Sequence, residues 1–176
     1  MLFSDRSIWT MIHGIVLGGA ALMGLFTALF ALWTLPAAPA GATPGPPSRR
    51  LAGLLGVTAA ALWLTVIAGT YVNFPQYRIV PPEGVTDLRQ YPRFLIDASP
   101  DTAWLHSFGM ESKEHMPWIA AILATAVAFV GARYRSALLA DARLRGISIA
   151  FLGIAFALTA FIALMGTFIN KVAPLQ

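Results

Sequence analysis

Long apolar runs alternate with shorter polar segments along most of this chain of 176 residues. Four of the runs reach or approach the roughly 20 residues that a helix needs to cross the hydrocarbon core of a membrane. They cover residues 8–35, 51–74, 116–132 and 147–170. The pattern predicts an all-α protein, a bundle of four transmembrane helices that forms one integral membrane domain over residues 1–176.

The segment between the second and third runs, residues 75–113, is too long for a simple connection. It contains five prolines and several aromatic residues, a composition typical of an ordered structure with a packed surface. We expect a small cap that lies on the outer end of the bundle and finishes in a short helix from about Thr102. The alternative is a tethered surface loop.

Composition supports a membrane protein and excludes several kinds of site. Hydrophobic residues make up 57% of the chain and charged residues 11%, and the mean hydropathy is +0.69. The chain has no cysteine, which excludes disulfides, iron–sulfur clusters, thiolate zinc sites and covalent haem attachment. The net charge of +4 is spread over several loops and forms no basic stripe of the kind that nucleic acid requires.

The distribution of basic residues predicts the orientation in the membrane. Six arginines crowd the two short linkers, between the first and second runs and between the third and fourth runs, whereas the other six basic residues spread over both termini and the 75–113 segment. By the positive-inside rule, the short linkers face the cytoplasm. Both termini and the cap then face outward, into the periplasm if the protein lies in the inner membrane of a Gram-negative bacterium. The linker over residues 36–50, rich in proline, alanine and glycine, is expected to be flexible.

Two similar segments end the second and fourth runs. Gly69–Asn73 reads GTYVN and Gly166–Asn170 reads GTFIN, with three identities in five positions. The chain is then interpreted as two copies of one helical hairpin, related by a pseudo-two-fold axis along the membrane normal. Such an axis would make His13 and His115 symmetry mates. The asparagine that ends each segment is expected to cap its helix in a left-handed conformation.

His13 is the first candidate functional residue, because an ionisable side chain inside a membrane span is costly and marks a functional site by default. It follows Trp9 by one helical turn, which places it about 6 Å below the membrane interface that tryptophan marks. Small residues lie along or near its helix face and leave space for a flat ligand; they include Gly14, Gly18, Gly19, Ala20 and Gly24. The alternative reading of this surface is close helix packing.

His115 is the second candidate, at the start of the third apolar run. It precedes Pro117, whose missing N–H suits the first turn of a helix. Glu111 lies one turn before His115 and could hold its ring. Glu111 and Glu114 also complement the positive end of the helix dipole, and this is a simpler role for them than metal binding.

His106 and Met110 are weaker candidates. They stand one turn apart, a spacing that could bind copper or the edge of a haem. The alternative for His106 is a histidine that packs on the surface or within the cap.

Two imidazoles from different helices of a four-helix membrane bundle are the usual axial ligands of a non-covalent b-type haem. In this respect the chain resembles four-helix membrane b-type cytochromes, and the likeness covers the four spans with His13 and His115. The four-histidine set of the b561 kind is missing, so one haem is the most that this set of histidines supports. The resemblance implies a haem b ligated by His13 and His115 in a slot with Gly14, Ala20 and Trp118. Its propionates would meet a nearby cation, the candidates being Arg78, Arg89, Arg93 and Lys113.

The sequence then favours a membrane electron-transfer subunit, which exchanges electrons between quinone and a redox partner docked on the cap. Sequence motifs of known catalytic sites are missing, and a non-catalytic role is therefore favoured over that of an enzyme. The main alternative is a cofactor-free accessory subunit that packs against other subunits of a larger membrane complex. A third hypothesis is a metal or small-molecule binding protein that uses His106, Met110 and His115.

Overall fold

The computed structural model describes residues 3–39, 43 and 45–175, and over these residues the protein is helical with no β-strand. Four long helices dominate the structure, and each is long and apolar enough to cross a membrane. They are α1 (Asp5–Thr34), α2 (Ser48–Tyr77), α4 (Pro100–Arg133) and α6 (Ala142–Val172). Two short helices, α3 (Pro92–Asp97) and α5 (Arg135–Ala140), lie in the connections. The predicted four-helix bundle is confirmed.

The four long helices form a closed ring of antiparallel neighbours. Each packs against the helices before and after it in the chain, and α6 returns to pack against α1. Helices α1 and α4 are therefore diagonal to each other across the bundle. One end of the bundle carries the start of α1, the end of α6 and the connection from α2 to α4, and we call it the terminal end. The opposite end, the linker end, carries the other two connections.

The bundle interior is filled by apolar side chains from all four helices. Leu25 of α1, Leu55 of α2, Ala124 of α4 and Leu152 of α6 are buried within one core cluster. Large apolar side chains on the opposite helix faces are exposed, as they are at Val16, Phe30 and Phe129. Since a soluble protein rarely exposes so much contiguous apolar surface, these faces contact membrane lipid.

At the linker end, polar groups satisfy the free ends of two helices. The guanidinium of Arg145 donates hydrogen bonds to the carbonyl oxygens of Leu32 (2.6 Å) and Leu35 (2.5 Å), which close the C-terminus of α1. The Asp141 carboxylate accepts from the first backbone N–H groups of α6 and serves as its N-cap. The predicted flexible linker lies partly outside the described residues, since 40–42 and 44 are not among them.

Several helix ends differ from the sequence prediction. The third span begins at Pro100 rather than at residue 116, and Pro117 lies inside the helix rather than in its first turn. The fourth begins at Ala142 rather than 147, and the second already includes Arg49 and Arg50. Hydropathy falls at these ends, but the backbone groups inside a helix are still paired with one another, so the helices continue through charged residues.

The expected asparagine caps are wrong. Among the described residues, none other than glycine has a positive φ angle, so neither Asn73 nor Asn170 adopts the left-handed conformation. Helix α2 continues past Asn73 to Tyr77, and α6 continues past Asn170 to Val172. The Asn73 carboxamide instead links two helices, because it accepts a hydrogen bond from the Thr10 hydroxyl at 3.3 Å and donates to the carbonyl of Ala68 at 3.1 Å.

The connection from α2 to α4 packs as a cap on the terminal end. Its short helix α3 buries Ile96 in a second apolar cluster, together with Leu105 of α4 and Ile169 of α6. The Thr102 hydroxyl donates to the Ile96 carbonyl at 2.7 Å and joins α3 to the start of α4. The ordered cap predicted for residues 75–113 is present only in part. Residues 91–96 pack on the bundle, whereas residues 79–90 are mostly exposed and have no helix or strand, and from Pro100 the segment is the first section of the spanning helix α4 rather than a separate short helix.

Candidate ligand cavity between the four helices

A cavity of about 770 Å³ lies between the four long helices at the terminal end. This volume is in the range of about 300–1,000 Å³ that is usual for sites that hold small molecules and cofactors. All four helices line it, with mostly apolar surface and a few polar groups. Its polar and aromatic lining includes Arg6, His13, Thr65, Lys113, His115 and Trp118.

Three of the four long helices change to π-helical hydrogen bonding beside this cavity. The π segments are Ile12–Leu17 in α1, Gly69–Asn73 in α2 and Leu105–Met110 in α4. A π turn is wider than an α turn and shifts the side chains that follow it around the helix axis, and such segments occur frequently at functional sites. Residues of each segment line the cavity, among them His13, Gly69 and Met110. The π segments therefore border the space in which a ligand would bind.

His13 enters the cavity from the first π segment, and its ring packs against Gly69. A methyl group added at Gly69 would lie 2.8 Å from Cε1 of the ring, closer than real Cβ atoms approach, and 3.3 Å from Nε2, a tight contact. The backbone of Thr65 also makes a hydrogen bond with the ring. The Nδ1 atom of His13 is buried and has no hydrogen-bond partner within the described part of the chain. Gly69 is thus required for the position of this imidazole.

His115 lines the same cavity from α4, but its side chain is more exposed than that of His13. Its Nδ1 atom lies 2.8 Å from the backbone carbonyl oxygen of Glu111. Because a carbonyl oxygen only accepts, Nδ1 carries the proton and Nε2 keeps its lone pair. This arrangement is common in metal-binding histidines. The predicted contact with Glu111 is present, but it uses the backbone of Glu111 rather than the carboxylate.

Lys113 makes the same kind of contact with α6 that His13 makes with α2, since each side chain packs against a glycine of the neighbouring helix. It is Lys113, and not His115, that makes this contact. A methyl group added at Gly166 would lie 2.9 Å from Lys113 Nζ and 3.9 Å from its Cε, so the lysine side chain crosses the helix interface as the His13 ring does. Gly69 and Gly166 are the first residues of the two similar segments. The contact supports a repeat of helical hairpins, but it pairs His13 with Lys113 instead of the expected His115.

The remaining residues predicted for the cofactor slot divide into two groups. Gly14 and Trp118 line the cavity. Trp118 packs edge-on against Trp63, with ring centroids 5.8 Å apart. Ala20 is exposed and does not belong to the cavity lining, so that part of the prediction is wrong. Ala20 lies beyond the π segment of α1, which rotates the following residues relative to a regular helix.

The structure separates His106 from Met110. The His106 ring contacts Tyr77, whose hydroxyl lies 3.1 Å from its Nδ1 atom, and His106 does not line the cavity. Met110 is buried and does line it. The two residues lie within the π segment of α4, where a spacing of four no longer places side chains one above the other. His106 therefore packs between the cap and α2, the alternative considered for it from sequence.

Of the four cations proposed to meet a propionate, only Lys113 lines the cavity. Arg78 packs over the Phe74 ring, and Arg93 lies 3.7 Å from Asp97. Arg89 lies 2.6 Å from Asp87 on the exposed face of the cap, and its hydrogen bonds lower the pKa of Asp87 to about 2.

Sequence reasoning missed a second cavity cation, Arg6. It lines the cavity from the first turn of α1, and its Nε atom is buried with no hydrogen-bond partner among the described residues. One terminal nitrogen of its guanidinium lies 3.5 Å from the carbonyl oxygen of Pro174, at the end of the chain's last helix. The signal in the sequence was the position of Arg6, two turns before His13 and close to the same helix face.

Within the described residues, no group of three or more histidine, cysteine or acidic side chains could hold a metal ion. A haem iron needs only two axial ligands from the protein, so the two cavity histidines are the relevant donors. Comparison with protein-family models, with curated proteins and with solved structures finds no match to this chain. The fold defines a class, the bundles of four helices that are long and apolar enough to cross a membrane, and the function is argued from the partly open cavity between them.

Proposed function

We propose that the protein is a membrane electron-transfer subunit that holds one b-type haem in the cavity between its four helices. His13 and His115 would hold its iron. The observation that carries the proposal is that imidazoles from two diagonal helices, α1 and α4, line one cavity of about 770 Å³ at the same end of the bundle.

The state of each imidazole supports this assignment. The His13 Nδ1 atom is buried and has no partner among the described residues, which costs free energy unless a ligand satisfies this atom. His115 holds its proton on Nδ1 towards Glu111, which leaves Nε2 free to donate its lone pair. The mostly apolar walls would exclude water from the porphyrin, and Trp118 offers an aromatic surface beside it.

A bound haem would supply a one-electron couple, and the residues of this chain would set its environment. The apolar lining favours the form of the haem with lower charge, and Lys113 and Arg6 offer positive charge in the lining. We propose that electrons pass between membrane quinone and a redox protein that docks on the cap. The protein would then lie in the inner membrane with both termini and the cap outside.

The absorption spectrum of the dithionite-reduced, purified protein tests the proposal. We expect a b-type α-band that is lost in both His13→Ala and His115→Ala. The matched control is His106→Ala, because this histidine contacts Tyr77 and does not line the cavity. An unchanged band in either of the first two variants would contradict the assigned ligands.

A second candidate is a cofactor-free accessory subunit of a larger membrane complex. The observation that favours it is a group of exposed apolar side chains on the cap, outside the spanning helices, at Ile79, Val80 and Val85. Such side chains are typical of a surface that another subunit covers. A colourless protein whose thermal stability does not change when haem is added would favour this candidate over the first.

A further inference from the structure

Lys113 places an ammonium group at a helix interface inside the membrane bundle. Its side chain extends from α4 across Gly166 of α6, so that a methyl group at Gly166 would lie 2.9 Å from Nζ. Lys113 also lines the cavity, on the wall contributed by α4 and α6. A charged side chain in such a place is costly unless it is paired, and it marks a functional site by default.

No carboxylate of the described chain pairs with this ammonium. The ion pairs among the described residues are Arg89 with Asp87 and Arg93 with Asp97, and both lie on the cap. Glu114 lines the cavity but makes no ion pair with Lys113 within 4 Å. The second cationic lining group, Arg6, lies towards Pro174, and its buried Nε atom has no hydrogen-bond partner among the described residues. The cavity thus has more cationic than anionic groups.

The similar contacts on the two sides of the bundle bring two different polar groups to one cavity, and the charge of Lys113 lies close enough to act on the His13 ring. On one side, Gly69 makes room for the His13 imidazole, which can donate a lone pair. On the other, Gly166 makes room for the Lys113 ammonium, which can only donate protons. One cavity therefore offers one group for an electron-pair acceptor and another for an anion.

We propose that the cavity binds a membrane-soluble amphiphile through a carboxylate held by the ammonium of Lys113. This inference deepens the proposed function, since a haem propionate is such a carboxylate, but it does not depend on the ligation of iron. A fatty acid presents the same chemistry, an apolar body with one carboxylate. Charge-assisted hydrogen bonds to carboxylates are among the strongest that side chains form.

Binding of metal-free porphyrins tests the inference without iron. Protoporphyrin IX and its dimethyl ester share one ring, but only the first carries carboxylates. Their affinities are measured by fluorescence anisotropy for the haem-free protein in lipid nanodiscs, with empty nanodiscs subtracted. We expect the diacid to bind the unsubstituted protein about tenfold more tightly than the diester, a ratio that corresponds to about 1.4 kcal/mol.

Variants assign the preference to Lys113. In Lys113→Gln the two affinities should agree within about twofold, through weaker binding of the diacid alone. Lys113→Arg should keep most of the preference. The matched control is Lys171→Gln, which removes an exposed lysine that does not line the cavity and should leave both affinities unchanged. Unfolding temperatures of all variants show whether they remain folded.

Competition by palmitate and by methyl palmitate identifies the source of the carboxylate. Displacement of protoporphyrin by palmitate but not by its ester points to a fatty acid, and resistance to both points to a propionate; either result supports the carboxylate subsite. Equal affinity of diacid and diester for the unsubstituted protein, absence of binding by both, or a preference that survives in Lys113→Gln would overturn it. A protein that purifies without haem but shows the preference would contradict the proposed function alone.

Discussion

The imidazole of His13 lies against the backbone of Gly69. Its Cε1 atom lies 2.8 Å from the position that a β-carbon would take on any other residue. This contact holds together helices α1 and α2 at the level where both change to π-helical hydrogen bonding. Both residues line the cavity. The position of the ring and the shape of the cavity therefore depend on Gly69 having no side chain.

Gly69→Ala should destabilise the protein and displace the His13 ring. The new methyl group would meet Cε1 at 2.8 Å, and overpacking of this kind costs about 1–3 kcal/mol. The control is Gly56→Ala on the same helix, where a methyl group would meet nothing within 4 Å. Gly56→Ala should be neutral or stabilising, because alanine favours helix over glycine. Unfolding temperatures in one detergent compare the two, and equal shifts would argue against the contact.

Thr58→Val should stabilise the protein. The Thr58 hydroxyl is buried and has no hydrogen-bond partner among the described residues, so its removal spares an unpaired polar group at a gain of about 1 kcal/mol. Thr159→Val is the matched control, because that buried hydroxyl donates to the Ala155 carbonyl at 2.7 Å and its loss should bring no gain. Equilibrium unfolding of both variants measures the difference. A loss of stability in Thr58→Val would contradict the unpaired state of the hydroxyl.

Arg145→Gln should weaken the linker end of the bundle. The variant removes charge-assisted hydrogen bonds to the carbonyls of Leu32 and Leu35, and each such bond contributes about 1.5–3 kcal/mol. Arg143→Gln removes the same charge from an exposed side chain two residues earlier and serves as the control. We expect a lower unfolding temperature in the first variant and little change in the second. Equal effects would mean that charge, rather than the cap of α1, is responsible.

The proposed orientation is open to a direct labelling test, because the chain has no cysteine. Thr86→Cys on the exposed part of the cap should react with a membrane-impermeant maleimide in intact spheroplasts. Ala137→Cys, exposed at the linker end, should react only after the membrane is permeabilised. The reverse pattern would place the cap and both termini in the cytoplasm and contradict the proposal based on arginine density.

Much of the fold follows from the apolar runs, because residues such as Leu25 and Leu152 fill the core of spans that hydropathy alone detects. The prediction for the start of α4 is wrong because it also relied on hydropathy alone. Glu111 and Lys113 lower the hydropathy there, yet the helix begins at Pro100 and carries Lys113 into the cavity. Hydropathy measures the cost of contact with lipid and does not account for a charged side chain that faces a cavity.

The candidate site was only partly predictable. His13 and His115 were recognised as ionisable residues in apolar surroundings, and both line the cavity. The π segments, however, leave no clear pattern in one sequence, and they decide which side chains follow on which face. This explains why Ala20 was placed wrongly. Lys113 and His13 are alike because each packs against a glycine of the neighbouring helix, and only the packing of the helices reveals these contacts.

The central claim is that His13 and His115 ligate one haem, and electron paramagnetic resonance of the oxidised protein tests it most directly. A ferric haem with two imidazole ligands is low-spin, and one that has lost a ligand becomes high-spin. We predict a single low-spin signal in the purified protein, converted to a high-spin signal by His115→Ala, abolished or converted by His13→Ala, and unchanged by His106→Ala. A protein without any ferric haem signal, or a low-spin signal that persists without His115, would contradict the account.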